Sequence, residues 1–133
     1  MTPTAILDTS VLVRYLTNDD PTRADAARKL IAAQHEGALL LPDVAMAELS
    51  SVLLRVYRWP PGDVARALRA VVTNRSIEVP GATLWLDVAD DVEKGFGPVD
   101  AYLQRTGLAD GLPTLFTFDS GIQPLTGLSC QSP

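Results

Sequence analysis

The chain alternates between short runs of apolar or β-forming residues and longer stretches in which apolar residues recur at helical spacing. The short runs are bounded by turn-forming residues, which predicts β-strands at residues 4–7, 38–41, 76–79 and 114–118. No hairpin signal joins any two of these runs. Strands that are separated by helices are connected by right-handed crossovers. The pattern therefore predicts an α/β fold with a central, mainly parallel sheet of about five strands and helices on both faces.

Capping residues and apolar stripes place the helices between these strands. A short helical run ends near Arg14, and a second helix begins at Asp20-Pro21, where proline takes the first helical position. A third helix follows Pro42 and extends to about Tyr57. The stripes that we expect to be buried are Ala24, Ala27, Leu30 and Ile31; then Val64, Ala67, Leu68, Val71 and Val72; and then Trp85, Val88, Ala89 and Val92.

Several ionisable residues are expected to carry no chemistry. The acids beside the last of these stripes form a solvated face: Asp87, Asp90, Asp91 and Glu93. His35 is the only histidine and lies at a helix end, where a cationic side chain is favourable. Cys130 is the only cysteine, so it can neither close an internal disulfide nor build a thiolate metal site. Catalysis, if present, must come from carboxylates and hydroxyls.

Composition limits the class of protein. The chain has 133 residues, the size of one domain, and its hydrophobic fraction of 47% is typical of a globular protein. Its apolar runs are much shorter than the roughly 20 residues of a membrane span, and the N-terminus does not resemble a signal peptide. We therefore expect one domain over residues 1–133, no membrane association and a cytoplasmic location. The net charge of -5 argues against a broad phosphate-binding surface, so any nucleic-acid contact must be local.

Four acids are placed where open parallel sheets bind ligands, beyond the carboxyl ends of the strands. Asp8 ends the first strand and Asp119 follows the strand at 114–118. Glu48 lies about one turn into the helix after Pro42. Asp100 lies where the last helix is predicted to begin. Each acid has an ordinary explanation as a turn, cap or surface residue, but together they converge on one edge of the predicted sheet.

A cluster of these acids, which we call the carboxylate set, requires a cation. Two carboxylates about 4 Å apart repel by roughly 4 kcal/mol at an effective dielectric constant of about 20. Oxygen ligands without histidine or cysteine favour a hard ion, Mg²⁺ or Mn²⁺, which takes the rest of its coordination shell from water and phosphate oxygens. This chemistry indicates a phosphodiester substrate.

The motifs around the carboxylate set resemble those of a known family. In order, they are Ile6-Leu7-Asp8-Thr9-Ser10-Val11-Leu12-Val13, Met46-Ala47-Glu48-Leu49, Val99-Asp100-Ala101-Tyr102-Leu103 and Thr117-Phe118-Asp119. The set resembles the PIN-domain family, and within it the VapC toxins of type II toxin-antitoxin modules. The resemblance covers nearly the whole chain.

The resemblance implies a function and a site. It implies an Mg²⁺- or Mn²⁺-dependent endoribonuclease that is inhibited by a VapB-like antitoxin and commonly forms a homodimer. Asp8 and Asp100 would be primary metal ligands, and Asp119 a direct or water-mediated ligand. Glu48 would be either a ligand or the group that orients the attacking water. Thr9 or Ser10, together with Thr117, would supply supporting hydroxyls.

The chain departs from the usual family pattern in two places. Residues 104–106 are Gln-Arg-Thr where small residues are typical, which puts the packing of this helix in question. Residues 120–122 are Ser-Gly-Ile where relatives often carry Arg-Asp-Phe, so an accessory acid and a basic residue are missing.

Basic residues suggest where RNA would be held. Arg14 is the best-placed arginine near the carboxylate set, and Arg105 is either a second RNA contact or a solvated side chain. A further basic stripe surrounds Trp59 and suits RNA, a protein partner or a solvated face equally: Arg55, Arg58, Arg66 and Arg69.

Other classes of protein share parts of this pattern. A signalling receiver module also has an acidic pocket and Mg²⁺, but it requires paired acids after the first strand and a lysine after a late strand. Asp8 has no acidic neighbour, and Lys29 and Lys94 lie in helical stretches, so the chain does not fit that class. Two alternatives keep the fold: a catalytically weak binding protein, and a nuclease with a housekeeping RNA or DNA substrate, including flap-type DNA.

Overall fold

The predicted alternation of strands and helices is present in the protein. The computed structural model describes residues 2–133. The helices are α1 (Thr9–Leu16), α2 (Pro21–Ala32), α3 (Asp43–Ser51), α4 (Pro61–Val72), α5 (Ala82–Glu93) and α6 (Pro98–Ala109). The strands are β1 (Ala5–Ile6), β2 (Leu39–Leu40), β3 (Ile77–Glu78), β4 (Thr114–Phe116) and β5 (Ser129–Gln131). No helix in this part of the chain is long and apolar enough to cross a membrane.

The strands are parallel, as predicted, but they form two ladders instead of one sheet. Within residues 2–133, β1, β2 and β3 make a three-stranded sheet in that order, and β4 pairs with β5. Ala5 is opposite Leu39, and Leu40 is opposite Glu78. The first strand is short because Asp8, directly after Leu7, already caps α1. The α/β fold is confirmed, whereas the single sheet of about five strands is divided.

The core lies among the helices and the first sheet. Trp85, Met46 and Leu53 are fully buried in it, and the predicted stripe of α4 is buried at Val64, Ala67, Leu68 and Val71. The stripe of α2 is narrower than predicted, because Leu30 is 43% exposed. The residues through which α2 packs on the core are Ala24, Ala27 and Ile31.

The helix predicted to extend from Pro42 to about Tyr57 changes its hydrogen bonding on the way. After α3, residues Val52–Val56 form a π-helical turn, in which the Tyr57 N–H donates to the Val52 carbonyl at 3.1 Å. Arg58 then has a left-handed backbone with φ of 56°, which ends the helix. The predicted extent is confirmed, and the wider turn was not predictable from apolar spacing.

One acid of α5 contradicts the predicted solvated face. Asp91 is 1% exposed, and both of its carboxylate oxygens accept hydrogen bonds at 2.7 Å from the guanidinium of Arg105 on α6. Asp87, Asp90 and Glu93 are exposed, as predicted. The prediction was wrong for Asp91 because a guanidinium from the neighbouring helix replaces water there.

A half-buried contact fixes the start of α3 against α5 and α6. The carboxylate of Asp43 accepts hydrogen bonds from the Trp85 indole at 3.1 Å and from the Tyr102 hydroxyl at 3.0 Å. The two aromatic rings are stacked with their centroids 4.8 Å apart. Gly81 packs against the same carboxylate, so that a Cβ there would lie 2.7 Å from Asp43 Oδ1. Only glycine leaves room for this arrangement.

Gly81→Ala is expected to destabilise the protein by about 1–3 kcal/mol, because Asp43 is held by two hydrogen bonds and cannot move away without breaking one. Gly62→Ala is the matched control, since a Cβ on that helical residue meets nothing within 4 Å. The control should be neutral or stabilising by up to about 1 kcal/mol. Urea unfolding of both variants measures the difference. Equal stability would show that Asp43 is not fixed.

Candidate metal centre

Asp8 occupies the junction between β1 and α1. Its carboxylate accepts the backbone N–H of Ser10 at 3.0 Å, and the Ser10 hydroxyl donates to the same oxygen. The hydrogen bond from the Ser10 side chain is the main cause that lowers the pKa of the exposed Asp8 carboxyl. The Thr9 backbone N–H is a smaller cause in the same direction, whereas the Thr9 hydroxyl donates at 3.3 Å to the Ala45 carbonyl on α3. Asp8 is therefore ionised and oriented by Ser10.

Glu48 faces the same cavity as Asp8. The cavity is open, with a volume of about 240 Å³, and the residues that line it are Asp8, Thr9, Ser10, Val13, Arg14, Glu48 and Val52. Thr9 ties α1 to α3, which brings the exposed carboxylate of Glu48 to this position. Two of the four predicted acids thus share one opening, with an arginine beside them.

Asp100 lies in the first turn of α6. Its half-buried carboxylate packs over Gly97, where a Cβ would be 3.2 Å from Asp100 Oδ2. With Ser51 and Arg55 it lines a small cleft of about 30 Å³. Ser51 lies three residues after Glu48 on α3, and Arg55 lies in the π-helical turn that follows. Asp100 therefore lies beside the end of α3 and the π-helical turn that follows it, and α3 is also the helix that carries Glu48.

Asp119 lies in the loop that follows β4. Its backbone N–H donates to the Thr117 hydroxyl at 3.0 Å, and its carboxylate accepts the Gly121 N–H at 2.8 Å. These bonds fix an exposed turn. Asp119 is not among the residues that line the cavity with Asp8.

The four acids therefore do not form a compact cage. Among residues 2–133, no three His, Cys, Asp or Glu side chains lie close enough together to hold a metal ion. The sheet is divided as well: β4 is hydrogen-bonded to β5 and not to β1, so no strand pairing joins the end of β4 to the end of β1.

Arg14 adjoins the cavity and is held by a network that the sequence did not reveal. Its Nη1 donates to Asp19 at 3.1 Å, and Asp19 also accepts the hydroxyls of Thr17 at 2.9 Å and Tyr57 at 2.8 Å. The hydrogen bond from Tyr57 is the main cause that lowers the pKa of Asp19. Nothing in the local sequence signals this contact, because Tyr57 comes from the distant end of the π-helical turn.

The remaining predicted basic residues are largely engaged with acids. Arg105 pairs with buried Asp91, so its guanidinium is held away from the cavity. Arg66 contacts Asp63 at 2.8 Å, and Arg69 contacts both acids at the end of α5, Asp90 and Glu93. Trp59 is half-buried beside a groove lined by Leu16, Asp63, Arg66, Ala67 and Ala70.

A comparison with protein-family models identifies the family of the chain. The model of the PIN domain matches residues 5–127, which is nearly the whole of it. The chain belongs to the PIN-domain family. No curated protein matches it at significant similarity. PIN domains have a nuclease-type fold and typically use divalent metal ions.

The candidate metal-binding side chains of this PIN domain suit a divalent cation. Asp8 and Glu48 present carboxylate oxygens to one open cavity, and the residues around them offer no competing imidazole or thiolate. Mg²⁺ is commonly bound by one or two carboxylates together with water and substrate phosphates, so a closed protein cage is not required. The residues present fit a hard divalent cation.

Proposed function

We propose that this PIN domain is an Mg²⁺- or Mn²⁺-dependent endoribonuclease that hydrolyses RNA phosphodiester bonds, with residues 1–133 acting as one nuclease domain. The observation that carries the proposal is the cavity shared by Asp8, Glu48 and Arg14. It combines two acids that suit a cation with an arginine that suits a phosphate. It is also open, as a polymeric substrate requires.

Each acid of the carboxylate set has a proposed role that follows from its position. Asp8 and Glu48 would hold the cation at the shared cavity, and Asp100 would join them from α6 as a second primary ligand. Glu48 has the alternative role of orienting the attacking water. Asp119 would act directly or through a water, with Thr117 supporting its loop through the hydrogen bond at 3.0 Å.

The chemistry follows from what these residues do. A bound divalent cation would supply Lewis acidity and neutralise the negative charge that develops on the phosphate. Ser10 keeps the Asp8 carboxylate ionised and fixed in direction. In its alternative role, Glu48 would accept a hydrogen bond from the water that attacks phosphorus, so that the water is directed in line with the oxygen that leaves. Arg14, held by Asp19, contacts a neighbouring phosphate.

We further propose that the nuclease is the toxin of a toxin-antitoxin module. The order and spacing of the four motifs resemble those of VapC toxins, which supports the role of toxin in a VapBC-like type II module in the cytoplasm. In that role the partners are an RNA substrate, a VapB-like antitoxin and a second copy of the chain as a homodimer. The alternatives are a housekeeping RNA or DNA nuclease of the same fold and a catalytically weak binding protein.

Metal removal tests the catalytic proposal. Purified protein incubated with total RNA is expected to cut it in Mg²⁺ or Mn²⁺, to stop cutting in EDTA, and to resume when the cation is restored. Single-stranded and flap DNA are tested in parallel. Cleavage of DNA alone would favour the DNA nuclease, and no cleavage of either nucleic acid with metal present would favour the binding protein.

A further inference from the structure

Gln104 is a fully buried polar residue on α6, with an exposed fraction of 0%. Both ends of its side-chain amide are engaged. Its Nε2 donates to the backbone carbonyl of Gln123 at 2.9 Å, and its Oε1 accepts the backbone N–H of Leu125 at 2.7 Å. We call this pair of bonds the Gln104 bridge. An amide is suited to the position because it offers one donor and one acceptor at the same depth.

The Gln104 bridge connects two elements that carry acids of the carboxylate set. Gln104 lies one helical turn after Asp100, and the bridged backbone belongs to the segment at residues 117–128 that contains Asp119. This segment has neither helix nor strand, so its backbone depends on turns and on side chains for its shape. Its buried anchors include Leu125, which is 8% exposed.

An apolar residue at position 104 would leave the bridged groups without partners. The carbonyl of Gln123 and the N–H of Leu125 lie against the buried amide, and an unsatisfied backbone group is costly in such a place. The segment would then shift or open to reach water.

We infer that Gln104 is a positioning residue: it fixes the segment that carries Asp119 against the helix that carries Asp100. The inference rests on the proposed function, because it assigns Gln104 an effect on the metal site through Asp119. Gln104 itself touches neither substrate nor cation in this account. Its effect is expected to resemble that of outer residues which orient metal ligands, whose loss typically weakens metal affinity about 10–100-fold.

Gln104→Met tests the inference, because methionine fills a similar volume without an amide. The expected result is faster hydrogen exchange at the Leu125 amide, Mg²⁺ affinity about tenfold weaker by calorimetry, and a lower kcat for RNA cleavage with KM changed less than about twofold. Gln34→Met is the matched control, since the Gln34 amide donates at 3.1 Å to Leu30 within its own helical stretch. The control should retain wild-type affinity.

A double variant separates positioning from general loosening. In an Asp119→Asn background, Gln104→Met should weaken Mg²⁺ binding by less than about twofold, because the residue through which it acts is already lost. Additive effects would overturn the inference. If Gln104→Met fails to fold, Gln104→Asn is used, which keeps the amide but is one methylene too short to make both bonds of the Gln104 bridge, and it is expected to show the same weaker affinity.

Failure of the inference and failure of the proposed function are distinguishable. Wild-type Mg²⁺ affinity and kcat in a folded Gln104→Met protein, with a normal wild-type enzyme, would overturn the positioning role alone. A wild-type protein that binds no Mg²⁺ and cuts no RNA would overturn the proposed function, and the role of Gln104 with it.

Discussion

Asp8→Asn is expected to lower the rate of RNA cleavage by roughly 100-fold or more while the protein stays folded. The substitution removes one negative charge from the shared cavity, and loss of a directly bound carboxylate weakens the stabilisation of the transition state by several kcal/mol. Asparagine still accepts the Ser10 N–H and caps a helix as well as aspartate does. Cleavage of labelled RNA at saturating Mg²⁺, with thermal unfolding alongside, measures both properties.

Asp25→Asn is the control for this variant, because Asp25 is an exposed acid on α2 that pairs with Lys29 at 2.9 Å. It should cut RNA at the wild-type rate. Growth of cells that express each protein adds a second readout: wild type and Asp25→Asn should arrest growth, and Asp8→Asn should not. Undiminished cleavage by folded Asp8→Asn would remove Asp8 from the metal site.

Arg105→Met is expected to destabilise the protein by about 3 kcal/mol, since it leaves the Asp91 carboxylate buried without its partner. The value is at the low end for a buried ion pair because the side chain of Arg105 is 29% exposed. For a domain of this size the loss corresponds to a decrease in Tm of roughly 10 °C. Urea and thermal unfolding measure the change.

Two further variants define what Arg105 contributes. Arg66→Met is the control, because Arg66 pairs with Asp63 at the surface with 78% of its side chain exposed. That change should cost less than about 1 kcal/mol. Replacing the buried pair together, as Asp91→Leu with Arg105→Met, should recover most of the lost stability. A folded Arg105→Met protein of normal stability that binds RNA more weakly would instead support the RNA contact.

Local sequence signals located the elements of this fold well. Strand and helix positions follow from apolar spacing and from caps, of which Asp20 is seen to accept a hydrogen bond from the first turn of α2. Asp8 caps α1 in the same way, although the sequence indicated only that it ends the first strand. Such signals act over a few residues, so they are readable without the fold. The parallel direction of the strands also follows, because each connection contains a helix.

The site was predictable in part. Asp8 and Glu48 share one cavity, as their predicted places at the end of the first strand and one turn into the helix after Pro42 led us to expect. The position of Asp119 depends on whether β4 pairs with β1, which apolar spacing does not encode. The roles of the four acids remain predictions that the proposed experiments test.

The order of elements, their parallel pairing and the presence of acids at their ends were determined by the sequence alone, because periodicity and capping are local properties of the chain. Tertiary structure alone decided which polar groups are buried together. Asp91 with Arg105, and Gln104 with the backbone at Leu125, are separated by 14 and 21 residues. Such pairs form only when two helices, or a helix and a loop, exclude water between them, and no short stretch of sequence records that event.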